Sequence, residues 1–237
     1  MKRQFIATTA GVALASLLAV SAVWADTAER LTAAADTVQS LLKIPEANKG
    51  IPQDLIKKAQ CLVVVPSLKS AALGVGGEYG RGFVSCRHGG GWTAPAAVKV
   101  EGGSFGFQIG GSETEVVMLV MNDAGLQHLL SSKFQISGEG SAAAGPVGRH
   151  ASAGTDWKMN AELLTYSRSK GVFAGLTLEG AVIEPDQDST IAIYGKDKNF
   201  RDILMGSVAT PPSAAPFLTA VKTASHKAAV SEAREPK

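Results

Sequence analysis

Glycine is concentrated in one part of this chain, and this limits the structures that the chain can form. Of its 26 glycines, 13 fall within the 38 residues from Gly74 to Gly111, between short apolar and aromatic pieces. Glycine inside a strand favours bulges, strong curvature or close approach of another backbone. We therefore expect a curved, glycine-rich antiparallel β-sheet that is partly barrel-like. The predicted strands lie near residues 72–79, 81–87, 92–100, 104–110 and 114–121, with turns at Gly89–Gly91 and Glu101–Gly103.

Two helical patterns precede the glycine-rich segment. From Asp26 to Leu42, apolar residues recur at helical spacing, and Asp26 and Glu29 are spaced as a capping box. Pro52 occupies the usual first position of a second helix, which runs to Gln60. The expected fold class is therefore α+β, with N-terminal helices packed on the sheet. We also expect a strand at Ile191–Tyr194, one domain over residues 26–224 and a disordered tail over residues 225–237.

The first 25 residues have the features of a secretory signal peptide. Lys2 and Arg3 precede an apolar run from about Phe5 to Val20, and small residues end the segment. An uncleaved membrane anchor is the alternative. No cysteine lies between residues 13 and 27, so lipid attachment at the cleavage site is excluded and we expect no lipoprotein. The expected location is the periplasm, either in solution or peripheral to a membrane.

The balance of charge restricts the partners of the chain. It has 23 lysine and arginine residues against 21 aspartate and glutamate residues. Because Lys2 and Arg3 lie in the predicted signal peptide, the expected mature chain has 21 of each and no net charge. A neutral chain exerts no long-range attraction on nucleic acid or on an anionic membrane. We therefore expect no nucleic-acid partner, and an anionic ligand must be held by a local basic patch.

Two cysteines, Cys61 and Cys86, both lie in the expected mature chain. Export places them in an oxidising compartment, where a pair of cysteines usually forms a bridge. Closing this loop would stabilise the fold by roughly 3 kcal/mol according to the chain-entropy model. We expect a disulfide, and the alternative is two buried free thiols.

The sequence lacks the motifs of common enzyme and metal sites. The histidines are isolated, and the glycine clusters are not followed by the Lys-Ser or Lys-Thr pair of a phosphate-binding loop. The acidic run Glu184–Asp188 lacks the glycine of a calcium-binding loop. A catalytic triad assembled by the fold is the alternative. We expect no catalytic centre, no cofactor and no metal site, and therefore a function in binding.

Five sequence blocks resemble the SYLF lipid-binding domain family. In chain order they are Ile51–Ala59, Trp92–Pro95, Gly103–Gly110, Ala144–Arg149 and Tyr166–Gly175, followed by Tyr194-Gly195. These blocks span most of the expected mature chain. With its predicted signal peptide, the chain is similar to exported bacterial members. The resemblance implies one domain that binds phosphoinositides or other anionic lipids, and some eukaryotic members also bind actin.

A local excess of basic residues is the candidate lipid-binding surface. Between residues 57 and 87 only Glu78 is acidic, whereas five residues are basic: Lys57, Lys58, Lys69, Arg81 and Arg87. Arg149, Arg168 and Lys170 extend this patch if the fold brings them near. Lysines would then act as point charges, and arginines as forked donors to phosphate oxygens. The alternative is a solvated face of scattered basic residues.

Four apolar residues are candidates for insertion into a membrane: Leu31, Val38, Leu42 and Trp92. The first three lie on the apolar stripe of the first helix. Residues 26–43 contain three acidic residues and two basic ones, so an anionic surface attracts this helix only weakly. Its stripe is apolar enough to insert. Packing in the core is the favoured alternative for both the stripe and Trp92.

The expected function is non-enzymatic binding of an anionic phospholipid or another envelope lipid, with peripheral membrane contact through the basic patch. The alternative is a structural or assembly factor of the envelope that binds a protein partner, for example through an exposed strand edge. Vesicle binding that weakens with salt would favour the first function. The sequence names neither the lipid nor the protein partner.

Overall fold

A computed structural model of the chain describes residues 26–44, 50–131, 133–136, 141–147, 161–169, 172–176, 178 and 180–232. For residues 72–75, 104–110, 169 and 228–232, the backbone alone is described. The predicted signal peptide, residues 233–237 and two candidate binding residues, Arg149 and Lys170, lie outside the described residues.

One long hairpin forms the centre of the sheet. Strand β1 (Cys61–His88) and strand β3 (Ala96–Val120) pair antiparallel from Cys61 to Val84 of β1. The run of β-branched residues in Cys61–Val65 favours this extended backbone. The hairpin therefore supplies the scaffold of the sheet, to which β2, β6 and β8 pair directly.

The glycines of the hairpin act in two ways. Gly89 and Gly90 have positive φ and turn the chain into the two-residue strand β2 (Gly91–Trp92), as expected. The turn expected at Glu101–Gly103 is wrong, because these residues continue β3 and pair with the middle of β1. The five strands predicted between residues 72 and 121 are consequently the parts of two long, bent strands.

The hairpin bends so far that β1 crosses over itself. A Cβ atom at Gly82 would lie 2.1 Å from the carbonyl oxygen of Val64, and one at Gly80 would lie 2.6 Å from Cγ1 of Val65. The register shifts between Val65 and Leu68, which marks a bulge beside the crossing. Only glycine leaves room for two backbones at this distance.

A disulfide joins the two ends of β1. Cys61 and Cys86 are buried and bonded, with 4.0 Å between their Cα atoms. Beside them, the backbone N–H of Arg87 donates to the carbonyl oxygen of Gln60 at 2.7 Å. The disulfide predicted from the two cysteines is confirmed.

Among the described residues, five shorter strands extend the hairpin into a curled, eight-stranded half-barrel. They are β4 (Phe134–Gln135), β5 (Ala142–Ala144), β6 (Leu163–Ser169), β7 (Val172–Gly175) and β8 (Val182–Pro185). β6 pairs with the second half of β3 and β8 with the first half. β5 pairs parallel with β6, whereas the other pairs are antiparallel. The predicted α+β class with a curved, glycine-rich sheet is confirmed.

Helices lie on both faces of the sheet. Residues 26–43 form α1, and the other helices are α2 (Gln53–Lys58), α3 (Asp123–Leu129), α4 (Gln187–Tyr194), α5 (Phe200–Leu204) and α6 (Ala215–Glu232). A 3-10 turn at Pro212–Ala214 leads into α6. The side chains of Asn122, Asp186 and Asn199 accept hydrogen bonds from the first turns of α3, α4 and α5.

Two expectations for the C-terminal part differ from the structure. Ile191–Tyr194 is the second half of α4 and not a strand, because Asp186 caps this helix and Gly195, with positive φ, ends it. Residues 225–232 are helical and Ser225 is buried, whereas we expected a disordered tail from residue 225.

Both faces of the hairpin are buried where β1 begins and β3 ends, over residues 61–65 and 116–120. Leu62, Val64 and Phe83 pack against α1, α2 and α6, whereas Val63 and Val65 pack on the opposite face with α3 and α5. Successive residues of a strand point to opposite faces, so neighbours in β1 enter two different cores. This explains why the start of β1 is uniformly apolar and not alternating.

The apolar stripe of α1 belongs to the first core. Leu31 and Val38, two candidates for membrane insertion, are 2% and 0% exposed. Leu42 and Trp92 are partly buried and pack against the same core. The packing alternative is thus the arrangement in the structure. Within the described part of the chain, no helix has both the length and the apolar character of a bilayer span.

Replacing Gly82 with alanine should destabilise the fold, because the added methyl group meets the Val64 carbonyl at the crossing. We expect the free energy of unfolding to fall by about 3 kcal/mol, as for an overpacked core. Gly103→Ala is the control, since nothing lies within 4 Å of its added Cβ atom. Urea denaturation followed by circular dichroism measures both, and an equal change in the two variants would contradict the crossing.

Removing the disulfide should leave the fold intact but less stable. For Cys61→Ser with Cys86→Ser, we expect a loss of roughly 3 kcal/mol in unfolding free energy, the chain-entropy cost of a loop this long. Adding a reductant should lower the denaturation midpoint of the wild type and not that of the double variant. A midpoint that is the same in both proteins, with or without reductant, would show that the bridge does not stabilise the fold.

Candidate functional site

The structure places the six described residues of the predicted lipid-binding patch in different surroundings. Lys57 and Lys58 lie at the end of α2, close to Arg87. Lys69 lies on β1 beyond the bulge between Val65 and Leu68, and it lines an open groove together with Arg81. The structure thus separates the predicted patch into groups, and each group has its own surroundings.

Arg87 joins the ends of α2 and α6. Its guanidinium donates to the carbonyl oxygens of Ala59 and Ile56, at 2.9 and 3.4 Å, and to the hydroxyl of Ser225 at 2.7 Å. Its Cζ atom lies 4.6 Å from the centre of a Trp92 ring. Burial lowers the pKa of Arg87, and the carbonyl oxygens satisfy its charge locally. Arg87 therefore holds two helices together.

Two other arginines of the predicted patch bind carboxylates of the same chain. Arg168 donates to both oxygens of Glu115, and Thr37 of α1 donates to the same carboxylate at 2.9 Å. Arg81 lies 3.4 Å from the buried Asp186. The planar guanidinium is suited to such fixed pairs. Arg168 thus connects β6 with β3 and α1, and Arg81 connects β1 with the start of α4.

The acidic run Glu184–Asp188 is also used by the fold. Glu184 binds Lys99 at 2.6 Å, Asp186 caps α4, and Asp188 lies in the first turn of that helix. Among the residues that the structure describes, no three His, Cys, Asp or Glu side chains come together in a way that could hold a metal ion.

A different set of exposed basic residues lies on helices that contact one another. Lys57 and Lys58 are exposed at the end of α2, and α2 packs against α6. α6 exposes Lys222 and Lys227. The Lys227 ammonium donates to the carbonyl oxygen of Leu42 at 2.6 Å, next to the exposed Lys43. We name this set the lysine face: Lys43, Lys57, Lys58, Lys222 and Lys227.

Three members of the lysine face were not predicted from the sequence. Lys43 comes from α1, and Lys222 and Lys227 come from α6 at the other end of the chain. One signal for α6 was present, because its exposed residues recur at intervals of three and four: Thr219, Lys222, Thr223, His226 and Lys227. The expectation of a disordered tail from residue 225 cut this pattern short.

An open groove of about 690 Å³ separates α1 from α6. Leu42 and Lys43 line it from α1, and Pro216 and Thr219 line it from α6. Leu42 is therefore the membrane-insertion candidate that lies beside the lysine face, whereas Leu31 and Val38 lie in the core.

A second groove of about 720 Å³ lies where α1 covers the crossing of β1. We name it the polar groove. Its lining includes three basic and three acidic residues: Arg30, Lys69, Arg81, Asp26, Glu29 and Glu113. Two members of the predicted patch thus face acidic residues, and the groove has no excess of either charge.

A buried carboxylate organises the polar groove. Asp186 is 4% exposed and accepts a hydrogen bond of 2.7 Å from the Ser189 hydroxyl, to which Arg30 also donates at 2.9 Å. Arg81 Nε lies beside Asp186 and donates to the Tyr79 hydroxyl at 2.6 Å. The Tyr79 hydrogen bond is the main cause that raises the pKa of Arg81. This network fixes two guanidinium groups between α1, β1 and α4.

Comparison with known proteins identifies the family. Residues 101–224, just over half of the chain, match the family described as "Ysc84: Las17-binding protein actin regulator". The chain is 35% identical over 175 residues to SH3 domain-containing protein PJ696.02 of Schizosaccharomyces pombe. It is 31% identical over 176 residues to Protein YSC84 of Saccharomyces cerevisiae and 31% identical over 169 residues to SH3 domain-containing YSC84-like protein 1 of Rattus norvegicus.

These matches cover 72%, 73% and 70% of this chain. They cover 40%, 37% and 49% of the relatives, so the chain spans less than half the length of each of these proteins. The extent of both the family match and the pairwise matches supports one assignment. The chain belongs to the Ysc84 family, and the resemblance of its sequence blocks to the SYLF domain is confirmed.

Proposed function

We propose that this protein is a non-enzymatic binding module that contacts anionic phospholipid through the lysine face. The supporting observation is that α1, α2 and α6 pack on the same core and expose five lysines, and that these parts of the helices contain few acidic residues in their sequence. Asp54 is the acidic residue of α2, and neither residues 37–43 of α1 nor residues 215–227 of α6 contain aspartate or glutamate. The lysine face is therefore our candidate for the local basic patch that the expected mature chain, which would have no net charge, requires.

The size of the electrostatic attraction fits a reversible contact. Each basic residue near an anionic bilayer contributes about 1 kcal/mol. Contact through three or four lysines thus supplies about 3–4 kcal/mol, which corresponds to peripheral binding that salt weakens. Leu42, at the groove beside the lysine face, adds an apolar side chain that can enter the headgroup layer.

The second candidate function is that of an assembly factor with a protein partner. The family description names a Las17-binding actin regulator, and a further relative is named LAS seventeen-binding protein 3. Because the chain spans under half of these relatives, a protein partner for this chain is a proposal and is not inherited from them. A protein partner and a lipid surface are distinguished by the vesicle experiment below.

The proposed location is the cell envelope, outside the cytoplasm. The signal-peptide features of residues 1–25 motivate this location. The Cys61–Cys86 disulfide agrees with it, because such bonds persist in oxidising compartments. We expect the protein in the periplasmic fraction with a mature mass that begins near Asp26, measured by intact-mass spectrometry. A full-length mass in the cytoplasmic fraction would contradict the location.

Removing two charges from the lysine face should weaken vesicle binding. For Lys58→Gln with Lys222→Gln, we expect the partition coefficient on phosphatidylglycerol vesicles to fall about 30-fold, since about 2 kcal/mol is lost. Sedimentation of the protein with vesicles measures this coefficient at low and at physiological salt.

The matched control is Lys133→Gln with Lys196→Gln, which removes two exposed lysines outside the lysine face. This control should bind within about twofold of the wild type at each salt concentration. An equal loss of vesicle binding in both double variants would show that binding depends on the net charge of the protein and not on the position of the lysine face. No binding of the wild type to anionic vesicles would reject the lipid proposal and favour the protein partner.

A further inference from the structure

The polar groove presents hydrogen-bond donors that the described part of the fold leaves unused, and they lie next to acceptors, because Lys69 and Glu113 are paired in register across β1 and β3. Arg81 makes its contacts with Tyr79 and Asp186 through Nε, so its two Nη groups have no partner among the described residues. Lys69, which also lines the groove, is exposed and has no ion-pair partner among those residues. A forked guanidinium beside an ammonium group is an arrangement that binds phosphate or carboxylate oxygens.

The same groove presents acceptors. Glu29 of α1 is exposed and makes no ion pair among the described residues. Glu113 of β3 accepts a hydrogen bond of 2.5 Å from Ser67 through Oε1, so its other oxygen can accept an additional donor. Asp26 is already paired with Arg30. Carboxylates in this position repel a simple anion and attract an ammonium group.

One donor of the proposed site, Arg81, is held in place before any ligand arrives. Asp186 is buried and fixes Arg81, and Arg30 is fixed through Ser189 at the start of α4. A preorganised site loses less conformational entropy on binding than one formed from mobile side chains. The groove volume of about 720 Å³ is within the usual range for small-molecule sites.

We propose that the polar groove binds a small zwitterion that carries a phosphate or carboxylate group and a primary ammonium group, the chemistry of a phosphoethanolamine headgroup. The anionic end contacts Arg81 and Lys69, and the ammonium end contacts Glu29 and Glu113. Neither a simple anion nor a simple cation satisfies both sets of groups. The site shares no residue with the lysine face and does not rest on the function proposed for it.

The test uses O-phosphoethanolamine, inorganic phosphate and ethanolamine, titrated into the full mature protein and followed by NMR chemical shifts. We expect O-phosphoethanolamine to bind at least about tenfold more tightly than either single-charge ligand, because it makes charge-assisted hydrogen bonds at both ends. Absence of binding at millimolar concentrations, or equal affinity for phosphate and phosphoethanolamine, would overturn the proposal.

The variants that test the groove change exposed residues, so the substitutions should not disturb the fold. Lys69→Gln should weaken both phosphoethanolamine and phosphate by about tenfold, whereas Glu29→Gln should weaken phosphoethanolamine alone. The matched control is Lys133→Gln, outside the groove, which should bind as the wild type does. Unchanged affinity in the groove variants would show that the bound molecule lies elsewhere, and this result also overturns the proposal.

Vesicles then distinguish a lipid headgroup from a free molecule. Phosphatidylcholine vesicles with and without phosphatidylethanolamine are compared, because the choline group has no N–H donor for a carboxylate. Binding that needs ethanolamine lipid and is lost in Lys69→Gln identifies a headgroup, whereas binding of soluble phosphoethanolamine alone identifies a free ligand. The double variant Lys58→Gln with Lys222→Gln should bind soluble O-phosphoethanolamine as the wild type does. The experiment can therefore reject the function proposed for the lysine face without rejecting the polar-groove site, or the reverse.

Discussion

The close crossing of β1 over itself is the contact on which the rest of the structure depends. Where Gly82 lies against the Val64 carbonyl, no side chain fits between the two halves of the strand. The crossing brings the end of β1 back to its start, where the Cys61–Cys86 disulfide holds it. It also places Arg87 against the carbonyl oxygens at the end of α2, beneath the lysine face. On its other side it places Arg81 beside Lys69, in the polar groove.

Arginines and lysines have different uses in this chain. Arg81, Arg87 and Arg168 each bind carboxylates, carbonyl oxygens or hydroxyls of their own chain, and they connect elements that are distant in sequence. Lysines such as Lys58 and Lys222 remain exposed on helices. The rigid guanidinium fork matches fixed acceptors, whereas the flexible ammonium group suits a fluid array of phosphates. Exposed lysines such as these provide surface charge, whereas Lys99 is paired with Glu184 in an ion pair within the sheet.

The sequence predicts the features that depend on a local pattern of residues, or for which it leaves few alternatives. The stripe of α1, the curved sheet and the disulfide between two cysteines were of this kind. Predictions failed where the same residues suit two structures. Gly102 and Gly103, predicted as part of a turn, continue β3. Ile191–Tyr194, predicted as a strand, is the second half of α4, which Asp186 caps. The basic patch was counted along the sequence, but charge acts through space. The lysine face comes from three helices, and only the fold brings them together.

The packing of α1 decides how the protein can contact a bilayer. Burying Leu31 or Val38 contributes roughly 1.5–3 kcal/mol, and transfer from the core to lipid would regain about the same amount. Detaching α1 would also break the hydrogen bonds from Arg30 to Ser189 and from Thr37 to Glu115, with no lipid counterpart fixed in place. Insertion of the stripe therefore gives no net advantage. The contact proposed for the lysine face would keep α1 on the sheet and would leave the polar groove, which α1 covers, intact.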